Sequence, residues 1–117
     1  MQTTAAKPAH DDNLSIVFGA LANPTRRAIL DRLAKGARTV AELTEPFAMR
    51  QPSISKHLKV LEHAGLVVRG KNAQWRPREL DTSPLQEANI YLEKFRKLWE
   101  ARLDRLELYL KRLKSQQ

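Results

Sequence analysis

Residues 49–67, "MRQPSISKHLKVLEHAGLV", carry two kinds of chemistry at helical spacing. Ile54, Leu58 and Leu61 recur at intervals of four and three, which stacks them on one side of an α-helix. Projected at about 100° per residue, Ser55, Lys56 and Lys59 fall opposite, with Gln51 and Ser53 near the N-terminal tip. A helix of this kind packs on a domain through its aliphatic side and offers hydroxyl and ammonium donors outward. What receives them is decided by the residues on either side.

Upstream, "TVAEL" is a capping box: Thr39 as N-cap and Glu42 three residues on satisfy each other's backbone donors. Pro46 disfavours helix at Glu45, so "PFAMR" is a tight connection before Pro52 restarts a helix. Two short helices joined by about four residues, the second basic on its free face, have the layout of a helix-turn-helix. Further upstream, Asn23 caps a helix with Pro24 in its first position, Ile29, Leu30 and Leu33 form its stripe, and Gly36 suits its C-terminal cap. A short helix is expected from Asn13 or Leu14 through "LSIVFGALA". Residues 1–12 are polar with no apolar period and are expected to form a flexible arm.

Downstream of Gly65 the period changes. Leu66 to Arg69 and Gln74 to Leu80 read as two strands around a Gly70-Lys71-Asn72 turn, with Pro77 restricting the second to an edge. A basic hairpin directly behind a helix-turn-helix reads as a wing. "SPLQ" at 83–86 is a second capping box, opening a helix to about Leu113. Leu85, Ala88, Leu92, Phe95, Trp99, Leu103, Leu106, Leu110 and Leu113 follow a 3-4-3-4-4-3-4-3 spacing, which confines them to a stripe about 80° wide. Such a helix is about 45 Å long, more than a small domain covers, so the stripe asks for a partner, most simply a second copy. The expected fold is mainly α: about five helices plus a two-stranded hairpin wing, with core 13–82 and a dimerisation helix 83–117.

Charge points the same way. The chain of 117 residues carries a net +8, and residues 50–78 hold seven Lys or Arg against one Glu. This favours an anionic partner. There are no cysteines, which excludes disulfides, thiolate nucleophiles and Cys-type metal sites. No apolar run is long enough for a membrane span and no basic-then-apolar leader is seen, so a cytoplasmic protein is expected. No Gly-rich phosphate loop or catalytic acid–base arrangement is found, and no enzyme and no cofactor are expected.

"ALANPTRRAIL", "TVAELTEPF" and "SKHLKVLEHAGLV" resemble the ArsR/SmtB family of winged-helix transcriptional repressors, over about residues 14–113. The resemblance implies a homodimer built from the first and last helices, with two recognition helices on a palindromic operator. The candidate DNA-binding residues are Arg50, Gln51, Ser53, Ser55, Lys56, His57 and Lys59, with Arg69, Lys71 and Arg76 in the wing beside Arg78. The candidate dimer residues are Leu14, Val17, Phe18, Leu92, Phe95, Trp99, Leu103, Leu106 and Leu110. Tyr91, Leu98 and Tyr109 widen that seam, and Trp75 is assigned to packing.

Two departures from the family matter. Thr39 and Ala41 stand where metal-sensing members carry a thiol pair, and no His follows His63. His57 and His63 point to different sides of their helix, so no metal is expected despite His10, His57 and His63. Arg50 stands where the family often has Ser before the recognition helix; a cation there opposes the helix dipole, a conflict that a DNA phosphate would relieve and that a plain surface Arg would simply tolerate. Two other functions fit the same residues: a sequence-indifferent architectural DNA-binding protein, and a helix-mediated module docking on an acidic protein. An effector, small molecule or protein, is left open.

Overall fold

A computed structural model describes residues 9–71 and 76–116, with side chains described from Asp12 onward. Five helices and one hairpin run in the order α1 (Ala9–Leu21), α2 (Pro24–Leu33), α3 (Val40–Thr44), α4 (Gln51–His63), β1 (Val67–Arg69), β2 (Arg78–Leu80) and α5 (Ser83–Ser115). Their shared core is aliphatic: Ile29 of α2, Leu43 of α3, Ile54, Leu58 and Leu61 of α4, and Leu66 and Val67 at the hairpin are the most deeply buried side chains. Burying each contributes about 1.5–3 kcal/mol.

Local signals explain most boundaries. Asn23 Oδ1 accepts the Arg26 N–H at 3.1 Å and caps α2, with Pro24 in its first turn. The Thr39–Glu42 capping box forms in both directions, at 2.8 and 3.2 Å. Its hydrogen bonds hold the Glu42 carboxyl below its ordinary range. Helix α4 ends in a Schellman motif: Leu66 N–H reaches Leu61 O at 3.0 Å and Gly65 N–H reaches Glu62 O at 2.9 Å. Gly65 sits at φ +76°, and a Cβ there would stand 3.3 Å from Pro84 Cγ, so glycine fits for both reasons.

Four boundaries differ from expectation. Helix α1 starts at Ala9, not Asn13, because periodicity marks only the packed face; the polar first turn, where Asp12 suits the macrodipole, leaves no apolar trace. The assigned arm therefore shrinks, and residues 1–8 lie outside the described residues, as does the His10 side chain. The strands are shorter, and Trp75 also lies outside the described residues. Nor is β2 a simple edge: Val67 pairs with Leu80 and Arg69 with Arg78 on one side, while Arg38 exchanges both backbone bonds with Arg78 on the other, at 2.6 and 3.1 Å. Pro77 is tolerated because it precedes the strand and contributes only its carbonyl, which accepts from Gly70. Finally, Ser83 does not cap α5. The Asp81 carboxylate takes the Ser83 N–H at 2.9 Å, a charged acceptor displacing a neutral one, and that bond lowers the Asp81 pKa.

Helix α5 has 33 residues, about 50 Å of length. Only Ala88 on it is buried, and its distal two-thirds extend from the body, stretching the molecule to 68 × 48 × 25 Å. Among the described residues no helix is long and apolar enough to cross a membrane.

Candidate nucleic-acid interface

Helix α4 is held from three sides by α2, α3 and α1, with β1 at its end. Ile54, Leu58 and Leu61 are sealed in the core, which leaves the opposite side free. Gln51, Ser53, Lys56 and Lys59 are all exposed there, as is Arg50 immediately before. Ser55 is half-buried on the flank of the helix. The connection between α3 and α4 takes residues 45–50, with Phe47 half-buried against the core and its N–H on Thr44 O at 3.0 Å.

Arg50 is the N-cap residue of α4, extended at φ −79°, ψ 153°, and makes no side-chain capping bond. Its carbonyl accepts from Ser53 and Ile54 N–H at 3.0 and 3.3 Å, starting the helix ladder. Pro52 has no N–H and the Ser53 N–H is taken by Arg50 O, so Gln51 N–H is the first-turn donor without a partner inside α4, at a helix start with no side-chain cap and next to the exposed Arg50. One backbone donor, the positive end of the helix dipole and a cation share the start of α4, an arrangement suited to a phosphate oxygen.

His57 does not face outward with the lysines. It is half-buried, and its Nδ1 stands 3.3 Å from Arg26 Nη1. Arg26 itself is fixed by two carbonyls of α1, Ala20 O at 2.8 Å from Nε and Gly19 O at 3.1 Å from Nη2. Burial first and the Arg26 charge second push the His57 pKa below its ordinary value. His57 therefore joins α4 to the α1–α2 corner, half-buried where the lysines are exposed.

The wing cations divide. Glu62 Oε2 accepts from Arg69 Nε at 3.2 Å and from Arg78 Nε at 3.1 Å, tying the hairpin to the recognition helix. Arg78 is nearly enclosed, its side chain 12% exposed, and its Nη1 also donates to Arg76 O at 2.5 Å. Arg69 stays 48% exposed but shares its charge with Glu62, so it is a weaker phosphate candidate than its place in the sequence suggests. Lys71 and Arg76 are exposed near the hairpin end; Arg76 adopts φ +39°, an uncommon value for a residue with a Cβ.

Of the dimer candidates, Val17 is turned into its own chain's core at 3% exposure and drops out. Leu14 and Phe18 are half-buried, whereas Leu92, Phe95, Trp99, Leu103, Leu106 and Leu110 are exposed along α5. Phe18 meets Tyr91 edge-on at 6.0 Å, and Tyr91 meets Phe95 at 5.4 Å, so α1 and α5 share an aromatic seam. Reasoning from sequence missed Arg26, Arg38 and Glu62. Glu62, the single acid among seven cations in residues 50–78, was the available signal.

A helix-turn-helix domain family matches residues 21–69, which span α2 to β1. The chain is 37% identical to the transcriptional repressor SdpR of Bacillus subtilis (strain 168) over 79 residues, 68% of this chain and 88% of that protein. A crystal structure of an ArsR family transcriptional regulator superposes with a TM-score of 0.70 at 39% identity, covering 77% of this chain and 93% of that one. The solution structure of the homodimeric winged helix-turn-helix DNA-binding domain Mb0332 of Mycobacterium bovis aligns at TM-score 0.61 and 26% identity, covering 84% and 91%. With helix-turn-helix, hairpin and flanking helices arranged as in these proteins, the chain belongs to the ArsR family of winged helix-turn-helix transcriptional regulators.

Proposed function

We propose that this protein is a homodimeric repressor that binds a palindromic DNA operator, placing α4 of each subunit in successive major grooves. The observation that carries this is the outward face of α4: Gln51, Ser53, Lys56 and Lys59 exposed on a helix whose other side is locked in the core. Gln51 suits an adenine edge, the serine reads base or phosphate, and the lysines suit guanine or phosphate. Arg50, Lys71 and Arg76 add phosphate contacts that set affinity and register. The chain acts by binding, with no step of covalent chemistry.

The homodimer is supported by the exposed apolar stripe of α5 and by the homodimeric state of the Mycobacterium bovis domain. Two-fold symmetry then makes the operator palindromic, with half-sites about one helical turn apart. Fluorescence anisotropy with the duplex upstream of its own gene, against scrambled duplex across a salt series, tests the function. A preference of about a thousandfold or more is expected. Equal binding with a steep salt slope would mean an architectural protein, and no binding to either duplex would mean a protein-docking module.

A further inference from the structure

Where α1, the end of α4 and the start of α5 meet, they leave a cleft of about 410 Å³, within the size range of small-molecule sites. Its floor is apolar: Ile16 and Val17 of α1, Ala64 and Gly65 behind α4, and Pro84 of α5. Its rim is polar and draws on all three helices, with Asn13, His63 and Ser83 exposed and Glu87 half-buried. Among the described residues, the side chains of Asn13, His63 and Ser83 make no hydrogen bond or ion pair, so their polar atoms can turn to a ligand. On α1, Asn13, Ile16 and Val17 lie about 120° round the helix from Leu14 and Phe18, so the cleft stays accessible in the homodimer.

The charge of the cleft opposes that of the molecule. The chain has 21 Lys and Arg, yet among the described residues none lines the cleft, whereas the Glu87 carboxylate does. Ser83 and Glu87 are four apart on α5, so hydroxyl and carboxylate share one face, about 6 Å apart along the axis. Asn13 Oδ1 and a ring nitrogen of neutral His63 are further acceptors. An ammonium head, with three N–H donors, matches such a rim, and an apolar body of a few carbons matches the floor. A carboxylate head would meet Glu87 instead.

Resting on the operator-binding reading above, we propose that this cleft binds a small hydrophobic amine and that its occupancy changes operator affinity. The bound amine touches α1, the Schellman turn that ends α4 and the first turn of α5 at once. It thereby biases how the recognition helix is set against the helices that carry the dimer candidates. A palindromic operator is sensitive to the spacing of two such helices, so ligand and DNA act on one equilibrium. By linkage, the operator changes the affinity for the amine by the same factor.

Phenethylamine, phenethyl alcohol and hydrocinnamate present one apolar body with a cationic, a neutral and an anionic head. Titrating each into the isotope-labelled full chain and following the backbone amide resonances reads location and affinity together. The amine is expected to shift the amides around Asn13, His63 to Gly65 and Glu87, and to bind about fivefold or more tightly than hydrocinnamate. Non-specific attraction to a chain of net charge +8 gives the reverse order. Ser83→Lys adds a cation at an exposed rim position and should invert the preference at the same amides. Shifts confined to other residues, hydrocinnamate binding there as tightly as the amine, or a preference untouched by Ser83→Lys would each overturn the amine site. Anisotropy with the duplex upstream of its own gene, with and without saturating phenethylamine, should show operator affinity changed about fivefold or more. Amine binding with unchanged operator affinity would overturn the coupling. A chain that takes the amine in the cleft yet prefers no duplex without it supports the site and overturns the operator reading instead.

Discussion

Arg26 Nη1 stands 3.3 Å from His57 Nδ1, joining the start of α2 to the middle of the recognition helix. The guanidinium can only donate, so the imidazole accepts at Nδ1 and must be unprotonated there. Burial and the Arg26 charge lower the His57 pKa below its ordinary 6.5. The unfolded chain therefore takes up a proton at higher pH than the folded one. The contribution of this joint is fully present above the ordinary value and is lost as pH falls through it toward the lower folded value. His57→Gln keeps an acceptor and removes the titration. Chemical denaturation at about pH 7.5 and about pH 5.5 should show wild type losing more stability on acidification than the variant. Equal losses would show that His57 contributes no pH dependence.

Glu62 holds Arg69 and Arg78 through one carboxylate oxygen. Glu62→Gln removes the negative charge while keeping the shape. The loss of two charge-assisted bonds at a partly enclosed site should lower stability by about 1–2 kcal/mol. It should also release the Arg69 charge, so DNA binding should show a salt slope steeper by about one counterion. A variant that is less stable with an unchanged slope would confine Arg69 to the hairpin.

The parts of the fold that were legible in the sequence are those whose cause is local. Asn23-Pro24 and Thr39–Glu42 carry their caps within four residues, and Ile54, Leu58 and Leu61 announce the buried face of α4 by spacing alone. Periodicity cannot say whether an apolar face is covered by its own chain or by another, which is why Val17, now in the core, was grouped with Phe18. The illegible parts depend on tertiary partners: Glu62 meets Arg78 sixteen residues on, Arg26 meets His57 thirty-one residues on, and Arg38 meets Arg78 through backbone groups that carry no side-chain signature. These contacts turned two expected surface groups, His57 and Arg69, inward or toward an acid.

Arg50 occupies a cap position without capping. Arg50→Ser supplies a hydroxyl acceptor for the Ser53 N–H and removes a cation from the positive end of the helix dipole, so stability should rise by about 0.5–1 kcal/mol. If the arginine serves a DNA phosphate, the same change should weaken operator binding and flatten the salt slope by about one. Stability and affinity should move in opposite directions. A gain in stability with unchanged binding and slope would make Arg50 ordinary surface charge.

Gln51 and Lys59 are both exposed on α4, about two turns apart, and their chemistry separates them. The Gln51 amide pairs a donor with an acceptor, the arrangement that matches an adenine edge, and it sits at the helix tip where a recognition helix reaches deepest. Gln51→Ala should cost about 1–3 kcal/mol on the preferred operator and much less on a duplex altered at the base pair it reads. Lys59 carries a point charge on a flexible stem and suits phosphate. Lys59→Ala should weaken binding to operator and scrambled duplex by the same factor and lower the salt slope by about one. Competition binding of both variants against operators changed one base pair at a time reads the difference. If Gln51→Ala weakens all duplexes equally, the tip of α4 positions the protein and base choice lies elsewhere on the helix.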